Sequence, residues 1–453
     1  MIPVVTPAEM RAIDAAATES TEQLVDRAGA AVARVARTML GGTYGRVVNV
    51  IAGPGNNGAD GRAAADRLAR RGMTVRVFDV ATCPPVVPPA DLVIDAAYGT
   101  GFHGSWRAPA IGDAMVLAVD IPSGVDGNTG AAGPATLAAD VTVTFAAGKP
   151  GLYLGRGRRL AGDIRVADIG LYVSSATVHV VERADVAQWI GNRSGDAHKW
   201  AQAVRVVAGS SGMTGAAHLV TAGAQRAGAG IVHVSSPGVE GHPPIEAVTR
   251  RIPPFDWADA VLDDLYRFHA LVVGPGLGRE DHTVPSVTKV VLDAIVPVVV
   301  DGDGLFALAW NEHGAPTMLR DREVPTILTP HDGEYALLTG HRPGDDRISA
   351  ARQLAADTNA TVLLKGPTTV VASPDGRVRL VVNGDQRLAT AGTGDVLAGI
   401  IGAVAAGGVD ILTAGAAGAW LHACAASFGP PRGFVAGDLL THLPEALASL
   451  AAR

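Results

Sequence analysis

Cysteine, long apolar runs and clustered positive charge are scarce in this 453-residue chain, and each scarcity disfavours a class of protein. The two cysteines, Cys83 and Cys424, are too few for a disulfide framework or a cysteine-based zinc site and indicate a reducing cytoplasm. No apolar run reaches the roughly 18 residues that cross a bilayer, and the start lacks an export pattern, so we expect no membrane partner. A net charge of -7 without a Lys/Arg run disfavours a nucleic-acid partner.

Lysine is also rare, because the chain uses arginine for nearly all of its positive charge. A lysine retained against this bias is expected to be needed as lysine. Glycine, in contrast, is abundant at 56 residues, and 48% of the chain is hydrophobic, which is typical of a loop-punctuated globular enzyme with two or three domains. The four lysines are Lys149, Lys199, Lys289 and Lys365.

Strand and helix patterns alternate along the chain in two series, which predicts parallel sheets covered by helices. A polar, glycine-containing stretch from Gly191 to Asp196 separates the series, so we predict two unlike α/β domains at 1–195 and 196–453. Helices are predicted over 7–17, 21–39, 215–227 and 396–406. Strands are predicted near 46–52, 74–80, 91–95, 115–120, 141–145, 203–208, 230–235, 270–273, 297–301, 324–328, 361–364 and 378–382.

The segment 53–58, Gly-Pro-Gly-Asn-Asn-Gly, is a literal match to the G-x-G-x-x-G dinucleotide fingerprint and lies between strand and helix patterns. A redox cofactor would bring its pyrophosphate to this helix start. However, Asn56, Asn57 and Asp60 crowd the turn, and a carboxylate there repels phosphate while it suits a cation or a sugar hydroxyl. This disfavours a dehydrogenase and leaves a plain glycine-rich turn as the alternative without chemistry.

Two later loops in the same half each follow a strand with an acid and a glycine-rich turn: 91–101 contains Asp95, and 119–127 contains Asp120. The carboxyl ends of parallel strands line one crevice, so Asn57, Asp95 and Asp120 are expected to converge. Oxygen ligands with a carboxylate suit a cation or acid–base site.

These three ordered motifs, with 24–29 and 148–151 agreeing, resemble the NAD(P)H-hydrate epimerase domain. The resemblance implies Asp120 as catalytic acid–base and a potassium ion held by Asn57, Asp95 and Ser123. Ala59 stands where the family usually has glycine, a small change that we expect the loop to tolerate. The implied substrate contacts are Asn56, Asn57, Gly58, Ala59, Asp60, Gly99, Thr100, Gly101, Phe102, His103, Gly104, Ser105 and Asp120.

In the second half, the segment 391–395, Ala-Gly-Thr-Gly-Asp, opens an apolar helical run, which places helix N–H groups beside the carboxylate of Asp395. Phosphoryl transfer needs that combination, although a purely structural helix start has the same pattern. Lys365 ends a strand where an ammonium could meet phosphates, and 329–334 and 273–278 are further loops that follow strands. His331 alone is an ordinary loop residue, but among these loops we interpret it as a substrate contact.

These loops resemble, in order, the ribokinase-like ADP/ATP-dependent NAD(P)H-hydrate dehydratase domain over roughly 196–445. The resemblance implies Asp395 as catalytic base and substrate contacts at Ala216, Gly276, His331 and Asp395. It implies nucleotide contacts at Lys365, Gly366, Pro367, Thr368, Thr369, Gly392, Thr393 and Gly394. The segment 301–306 departs from the family's usual Asp-Ala-Asp-Ala-Leu-Asn by ending in Phe306, which puts a polar contact in doubt; it also fails as an EF-hand calcium loop.

We therefore expect two tandem three-layer α/β domains, Rossmann-like and then ribokinase-like. The resemblances imply a bifunctional repair enzyme that epimerises NADHX and NADPHX, the hydrates of NADH and NADPH, and dehydrates one epimer, and the scarcity of cysteine predicts a cytoplasmic location. The implied cofactors are K⁺ and Mg²⁺, with ADP as phosphoryl donor, and we expect a homo-oligomer. A preference for ADP over ATP rests on resemblance to bacterial members alone. The alternative is a hydroxymethylpyrimidine or sugar kinase with a non-catalytic N-terminal binding module.

Overall fold

The computed structural model describes residues 1–102, 104, 106–191, 195–240 and 242–451. Within them the chain forms two compact units, Ile2–Val178 and, together with Met1, the chain from His179 onward. The units divide before the predicted domain boundary at 195/196, because Val181 and Val186 are buried in the core of the C-terminal unit. The functional boundary at 195/196 stays a prediction.

The strands of the N-terminal unit are β1 (Ile2–Val4), β2 (Val47–Ala52), β3 (Thr74–Asp79), β4 (Leu92–Ala96), β5 (Met115–Val119), β6 (Val141–Phe145) and β7 (Asp163–Ala167). All of them except β1 form a parallel sheet with strand order β3-β2-β4-β5-β6-β7. Its helices are α1 (Pro7–Ala15), α2 (Thr21–Leu40), α3 (Asn56–Ala69), α4 (Pro150–Tyr153) and α5 (Gly157–Leu160).

Helices α2 and α3 pack their small apolar faces on one side of this sheet, where Val32, Ala64 and Leu68 are buried with Val50 and Leu117. The opposite side, predicted to carry helices as well, is covered near Ile51 and Val93 by the loop residues Cys83, Trp106 and Ile111. The predicted site residues therefore lie on loops at the carboxyl ends of β2, β4 and β5.

The strands of the C-terminal unit are β8 (Val178–Val180), β9 (Ala203–Val207), β10 (Ile231–Ser235), β11 (Val248–Thr249), β12 (Ala270–Val273), β13 (Val298–Val300), β14 (Thr326–Leu328), β15 (Thr361–Leu364), β16 (Thr369–Ala372) and β17 (Val378–Val381). They form a larger sheet in which the order runs β8-β17-β16-β15-β14-β13-β12-β9-β10-β11. Its helices are α6 (Arg183–Trp189), α7 (Thr214–Arg226), α8 (Ala258–Leu262), α9 (Thr283–Asp293), α10 (Asp303–Trp310), α11 (Gly314–Leu319), α12 (Asp332–Thr339), α13 (Arg347–Thr358), α14 (Thr393–Ala406), α15 (Ile411–Phe428) and α16 (Ala436–Ala451).

The strands from β10 to β15 are parallel along the sheet, but β16 runs antiparallel to both β15 and β17. The sequence patterns did not predict β16. The return from Leu364 to Thr369 is too short for the crossover that a parallel strand needs, so β16 pairs antiparallel with β15. This return contains the Lys365–Thr368 segment and places it beside the end of β14.

Helices α7, α14 and α15 supply the apolar core that covers this sheet, with Val220, Ile400 and Leu421 fully buried. Of the described helices, α15 alone is long and apolar enough to cross a membrane by length and composition, and 72% of it is buried inside the protein. It is a core helix, and the threonine, histidine and glycines within it explain why no continuous apolar run marks it in the sequence.

Candidate active sites

A cavity of about 790 Å³ opens in the N-terminal unit at the carboxyl ends of its strands. Predicted substrate contacts lining it are Asn56, Asn57, Asp60, Gly99, Thr100, Gly101, Phe102 and Asp120. A Cβ on Gly104 would lie 3.3 Å from the Phe102 ring, and Gly58 and Ala59 belong to α3, the helix that contains the lining residues Asn56, Asn57 and Asp60. His103 and Ser105 lie outside the described residues.

Packing requires two of the three glycines in the G-x-G-x-x-G segment, Gly53 and Gly58. A Cβ on Gly53 would lie 1.9 Å from the Ala97 carbonyl oxygen, and one on Gly58 would lie 1.9 Å from the Gly53 carbonyl oxygen. Gly55 meets nothing within 4 Å. Ala59 lies inside α3, where its N–H donates to the Gly55 carbonyl at 3.0 Å, so alanine fits there. The glycines bring the start of α3 against the end of β4.

Asp120 occupies a left-handed conformation at φ 68°, which is uncommon outside glycine but which aspartate adopts more readily than most other residues. Its Oδ1 lies 2.7 Å from the buried Nζ of Lys149 and accepts from Thr144 Oγ1 at 3.2 Å, and its Oδ2 accepts from the Thr100 N–H at 3.3 Å. Burial alone would raise the pKa of Asp120, but the Lys149 ammonium and these hydrogen bonds bring it below its ordinary value. The structure thus holds an ionised carboxylate at the cleft.

Two of the three predicted potassium ligands, Asp95 and Ser123, contact each other directly. Ser123 donates to the buried Asp95 carboxylate through Oγ at 2.6 Å and through its backbone N–H at 2.9 Å. Burial raises the pKa of Asp95, and the Ser123 and Ala97 hydrogen bonds oppose that rise. Both polar atoms of the Asn57 amide are buried and have no hydrogen-bond partner among the described residues. A buried carboxylate and an orphaned amide oxygen are the donors that a cation site needs, so these residues fit a potassium ion.

Asp60 was expected at the very start of the helix, but α3 begins at Asn56 and Asp60 lies in its second turn, 8% exposed. Burial, together with the nearby charges of Asp120 and Asp14, raises the pKa of Asp60 to about 8. Asp14, which also lines the cleft, has its pKa raised by burial. The cleft therefore contains carboxyl groups of opposite protonation state near neutral pH.

In the C-terminal unit, the Gly392–Asp395 segment begins α14 with Gly392 in a left-handed conformation at φ 87°. The first-turn N–H groups of a helix have no helical acceptor, so those of Gly394 and Asp395 are free to bind an anion. Thr393 Oγ1 donates to the Thr390 carbonyl at 2.8 Å, and its own carbonyl lies 2.9 Å from Nε2 of the buried His422. Burial lowers the pKa of His422 to about 4, so a neutral imidazole holds this turn.

Lys365 and Asp301 form a buried ion pair across neighbouring loops, with Nζ 2.5 Å from Oδ1. Thr329 Oγ1 donates to the same Oδ1 at 2.7 Å. A Cβ on Gly394 would lie 3.4 Å from Lys365 Nζ, so the ammonium adjoins the start of α14. Burial lowers the pKa of Lys365, but the nearby carboxylate of Asp301 raises it, and the net effect is a rise. A permanent cation therefore faces the anion-binding turn.

Asp395 lies at the same helix start as these groups. Burial raises its pKa first, and the carboxylate of Asp301 adds to the effect against the opposing charge of Lys365, giving about 7. A carboxylate with a pKa near neutrality is matched to accept a hydroxyl proton at physiological pH.

His331 caps α12, because its Nδ1 accepts from the Gly333 and Glu334 N–H groups at 2.9 and 3.2 Å. Glu334 in turn accepts from the His331 N–H at 2.8 Å. The Nε2 atom of the ring lies 3.6 Å from Glu334 Oε1, and the His331 side chain is 60% exposed. The other predicted substrate contacts, Ala216 and Gly276, adjoin each other, since a Cβ on Gly276 would lie 2.7 Å from that of Ala216.

Phe306, the departure noted in the sequence, stacks on Trp310 with ring centroids 5.4 Å apart, and the Arg279 guanidinium lies over its ring at 4.9 Å. Arg279 also donates to Asp303 at 2.8 Å. An aromatic cluster thus replaces the family's amide.

Sequence reasoning did not assign Lys149, Asp301 or His422 to a site. The scarcity of lysine was a usable signal for Lys149, because a buried pair with Asp120 needs an ammonium. Asp301 contacts Lys365, and His422 contacts Thr393, at separations of more than 28 residues along the chain. No local sequence pattern therefore indicates either residue.

The fold and the two sites define a two-domain α/β enzyme. One domain presents a carboxylate and cation-type donors, and the other presents a base at an anion-binding helix start, the arrangement of phosphoryl-transfer enzymes. Comparison with known proteins identifies the family within this class.

The family model of NAD(P)H-hydrate dehydratase matches residues 204–448, and that of the YjeF-related protein N-terminus matches 21–87 and 79–151. The bifunctional NAD(P)H-hydrate repair enzyme of Moorella thermoacetica is 35% identical over 99% of this chain and 97% of its own. The chain belongs to the family of bifunctional NAD(P)H-hydrate repair enzymes.

Among solved structures, an ADP/ATP-dependent NAD(P)H-hydrate dehydratase from Bacillus subtilis, co-crystallised with ATP/Mg²⁺, is 30% identical with a TM-score of 0.51. It covers 59% of this chain and 97% of that chain. A ribokinase-like superfamily protein from Enterococcus faecalis has a TM-score of 0.54 at 21% identity, covers 63% of this chain and 99% of that chain, and shows the fold alone. The predicted fold class is confirmed.

Proposed function

We propose that the chain repairs hydrated NADH and NADPH in two steps. The N-terminal unit interconverts the R and S epimers, and the C-terminal unit dehydrates the S epimer with ADP, releasing AMP and phosphate. The observation that carries the proposal is the pair of tuned carboxylates: Asp120 is held ionised by Lys149, while Asp395 has a pKa of about 7 beside free helix N–H groups.

In the epimerase site, Asp120 is positioned to exchange a proton with the hydroxyl on the hydrated ring carbon, since it lines the cleft and is oriented by three hydrogen-bonding groups. A potassium ion fits Asn57, Asp95 and Ser123. When bound, it supplies a fixed positive charge that neutralises the buried Asp95 and orders the neighbouring loops. The donors at 56–60 and 99–105 are the proposed substrate contacts.

In the dehydratase site, Asp395 accepts the proton of the substrate hydroxyl. The hydroxyl oxygen attacks the terminal phosphorus of ADP, and the bond between that phosphorus and the bridging oxygen breaks, which releases AMP. The N–H groups of Gly394 and Asp395 and the Lys365 ammonium face the charge that develops on the phosphoryl group. Phosphate then leaves with the carbon–oxygen electron pair, and loss of a neighbouring carbon-bound proton forms the ring double bond of NAD(P)H. The second step thereby regenerates phosphate without any change of oxidation state.

The nucleotide is proposed to lie along 365–369 and 392–394, with the substrate at Ala216, Gly276 and His331. The described residues contain no cluster of three or more His, Cys, Asp or Glu side chains that could hold a metal ion. Mg²⁺ ordinarily binds nucleotide phosphates with one or two carboxylates and water, so we propose that it enters with the nucleotide. The ATP/Mg²⁺ of the B. subtilis dehydratase supports this, while ADP remains the proposed donor here.

Two single substitutions test the division of labour. Asp395→Asn is expected to abolish dehydration of the S epimer and leave epimerisation intact, and Asp120→Asn is expected to do the reverse. Both reactions are measured on each full-length variant, so each serves as the folding control for the other. If both activities survived both substitutions, the site assignments would be wrong.

We further propose that the enzyme works in the cytoplasm as a homo-oligomer. The two widely separated free cysteines and the apolar composition support these proposals. Fractionation and light scattering of the purified chain test them, and a monomer at micromolar concentration contradicts the second.

A further inference from the structure

Asp60 projects a nearly buried carboxyl group into the epimerase cleft that contains Asp120. Among the described residues, the other charged side chains that line this cleft are Asp14 on α1, Glu19 before α2, Asp120 after β5 and Lys149 before α4. The single cation among them, Lys149, forms an ion pair with Asp120, because its Nζ lies 2.7 Å from Asp120 Oδ1. The cleft thus gathers more acids than it neutralises.

Asp120 and Asp60 differ in their hydrogen bonds. Both oxygens of Asp120 are engaged, by Lys149 and Thr144 at Oδ1 and by the Thr100 N–H at Oδ2. Among the described residues, none donates a hydrogen bond to the Asp60 carboxyl. Hydrogen-bond donors stabilise the ionised form of a carboxyl group, and without donors the protonated form is favoured. The surroundings therefore favour a charged Asp120 and a protonated Asp60.

The charges point the same way. Burial first, then Asp120 and Asp14, raises the pKa of Asp60 to about 8, while Lys149 lowers that of Asp120. Two carboxyl groups whose surroundings drive them apart in acidity are the pattern of an acid and base that work together. Near pH 7, Asp60 is the proton donor and Asp120 the acceptor.

The proposed reaction needs both. Adding water to the ring double bond next to the ring nitrogen places the hydroxyl on the carbon attached to that nitrogen. Inverting that carbon by expelling water would leave an iminium ion that yields NAD(P)H on losing one proton, which would make the ADP-dependent step unnecessary. Inversion by opening and reclosing the carbon–nitrogen bond retains every atom, but it requires a proton to leave oxygen while another reaches nitrogen.

We propose that Asp60 is the second catalytic residue of epimerisation and gives its proton to the ring nitrogen while Asp120 takes the hydroxyl proton. The carbon–nitrogen bond breaks, its electron pair goes to nitrogen, and the carbon–oxygen double bond forms. Rotation presents the other face of this carbonyl. Nitrogen then reattacks carbon, Asp60 recovers its proton from nitrogen, and Asp120 returns one to oxygen. This inference rests on the proposed epimerase function.

The test is Asp60→Asn in the full chain, with epimer interconversion followed by chromatography in the absence of ADP, so that dehydration does not interfere. We expect kcat to fall by about a hundredfold or more, the range of general acid catalysis, with KM for the R epimer little changed. Asp60→Glu, which restores an acid, is expected to recover part of the rate. Dehydration of the S epimer with ADP is expected to be unchanged.

The pH profile separates proton transfer from packing. Wild-type kcat/KM is expected to fall as the pH rises through about 8, where Asp60 loses its proton, and Asp60→Asn is expected to lack this fall. The matched control is Asp14→Asn in the same cleft. It removes a charge that raises the pKa of Asp60, so the alkaline fall should persist and move to lower pH.

Near-wild-type epimerisation by Asp60→Asn with the alkaline fall retained overturns the inference. A loss of activity that Asp60→Glu does not relieve, with the alkaline fall still present in the residual rate, assigns Asp60 to packing and also overturns it. A wild-type chain that fails to epimerise at all contradicts the proposed function instead, so the two failures are distinct.

Discussion

Replacing Asp395 by asparagine is expected to stabilise the C-terminal unit while it abolishes dehydration. The rise of the Asp395 pKa from 3.8 to about 7 means that the folded unit disfavours the ionised carboxyl. At about 1.4 kcal/mol per pKa unit this amounts to about 4 kcal/mol. Water reaches the half-buried side chain, and screening halves the effect, so we expect Asp395→Asn to raise the free energy of unfolding by about 2 kcal/mol.

The gain has a defined pH dependence. Between pH 4 and 7 the folded unit binds more protons at Asp395 than the unfolded chain does, so wild-type stability from this group falls as the pH rises. The advantage of Asp395→Asn is therefore close to zero at pH 4, grows up to pH 7 and is constant above it. A gain that is independent of pH, or largest at low pH, would refute the electrostatic reasoning.

Urea denaturation monitored by tryptophan fluorescence provides the measurement, because all tryptophans except Trp106 lie in the C-terminal unit. Asp281→Asn is the matched control, since it removes an exposed carboxylate from the same unit. We expect it to change the free energy of unfolding by less than about 0.5 kcal/mol at every pH.

Two further substitutions test the N-terminal unit. Lys149→Met leaves the buried Asp120 unpaired, so it is expected to cost about 3–5 kcal/mol of unfolding free energy. It is also expected to move the acidic limb of the epimerase pH profile to higher pH, with the dehydration activity of the same variant as control. An acidic limb that does not move contradicts the pairing of Lys149 with Asp120. Gly53→Ala places a Cβ 1.9 Å from the Ala97 carbonyl oxygen, so it is expected to lower the free energy of unfolding by more than about 3 kcal/mol, measured by thermal denaturation. The control is Gly55→Ala, whose Cβ would meet nothing within 4 Å, and it is expected to lower that free energy by about 1 kcal/mol or less. Equal losses would show that the close approach is not limiting.

The sequence predicts much of the fold, because buried parallel strands form short apolar runs bounded by turn residues. The strands predicted at 141–145, 270–273 and 361–364 have those bounds in the structure. The antiparallel β16 and the loops that cover one face of the N-terminal sheet were missed. Both depend on what packs against them, which local patterns do not contain.

The site is predicted less completely. Motifs identify the segments around Asp95, Asp120 and Asp395, and the structure places these acids at the carboxyl ends of strands or at a helix start. Their roles stay predictions. The protonation states depend on burial and on partners distant in sequence, such as Lys149 for Asp120 and Asp301 for Asp395, so spacing alone does not reveal them.

The measurement that tests the central claim most directly is recovery of absorbance at 340 nm from a mixture of both NADH-hydrate epimers with ADP, magnesium and potassium. Two active domains predict recovery beyond the share of the S epimer, up to the full amount of NADH. Recovery that stops at that share contradicts the epimerase assignment, and no recovery with either ADP or ATP contradicts the repair function as a whole.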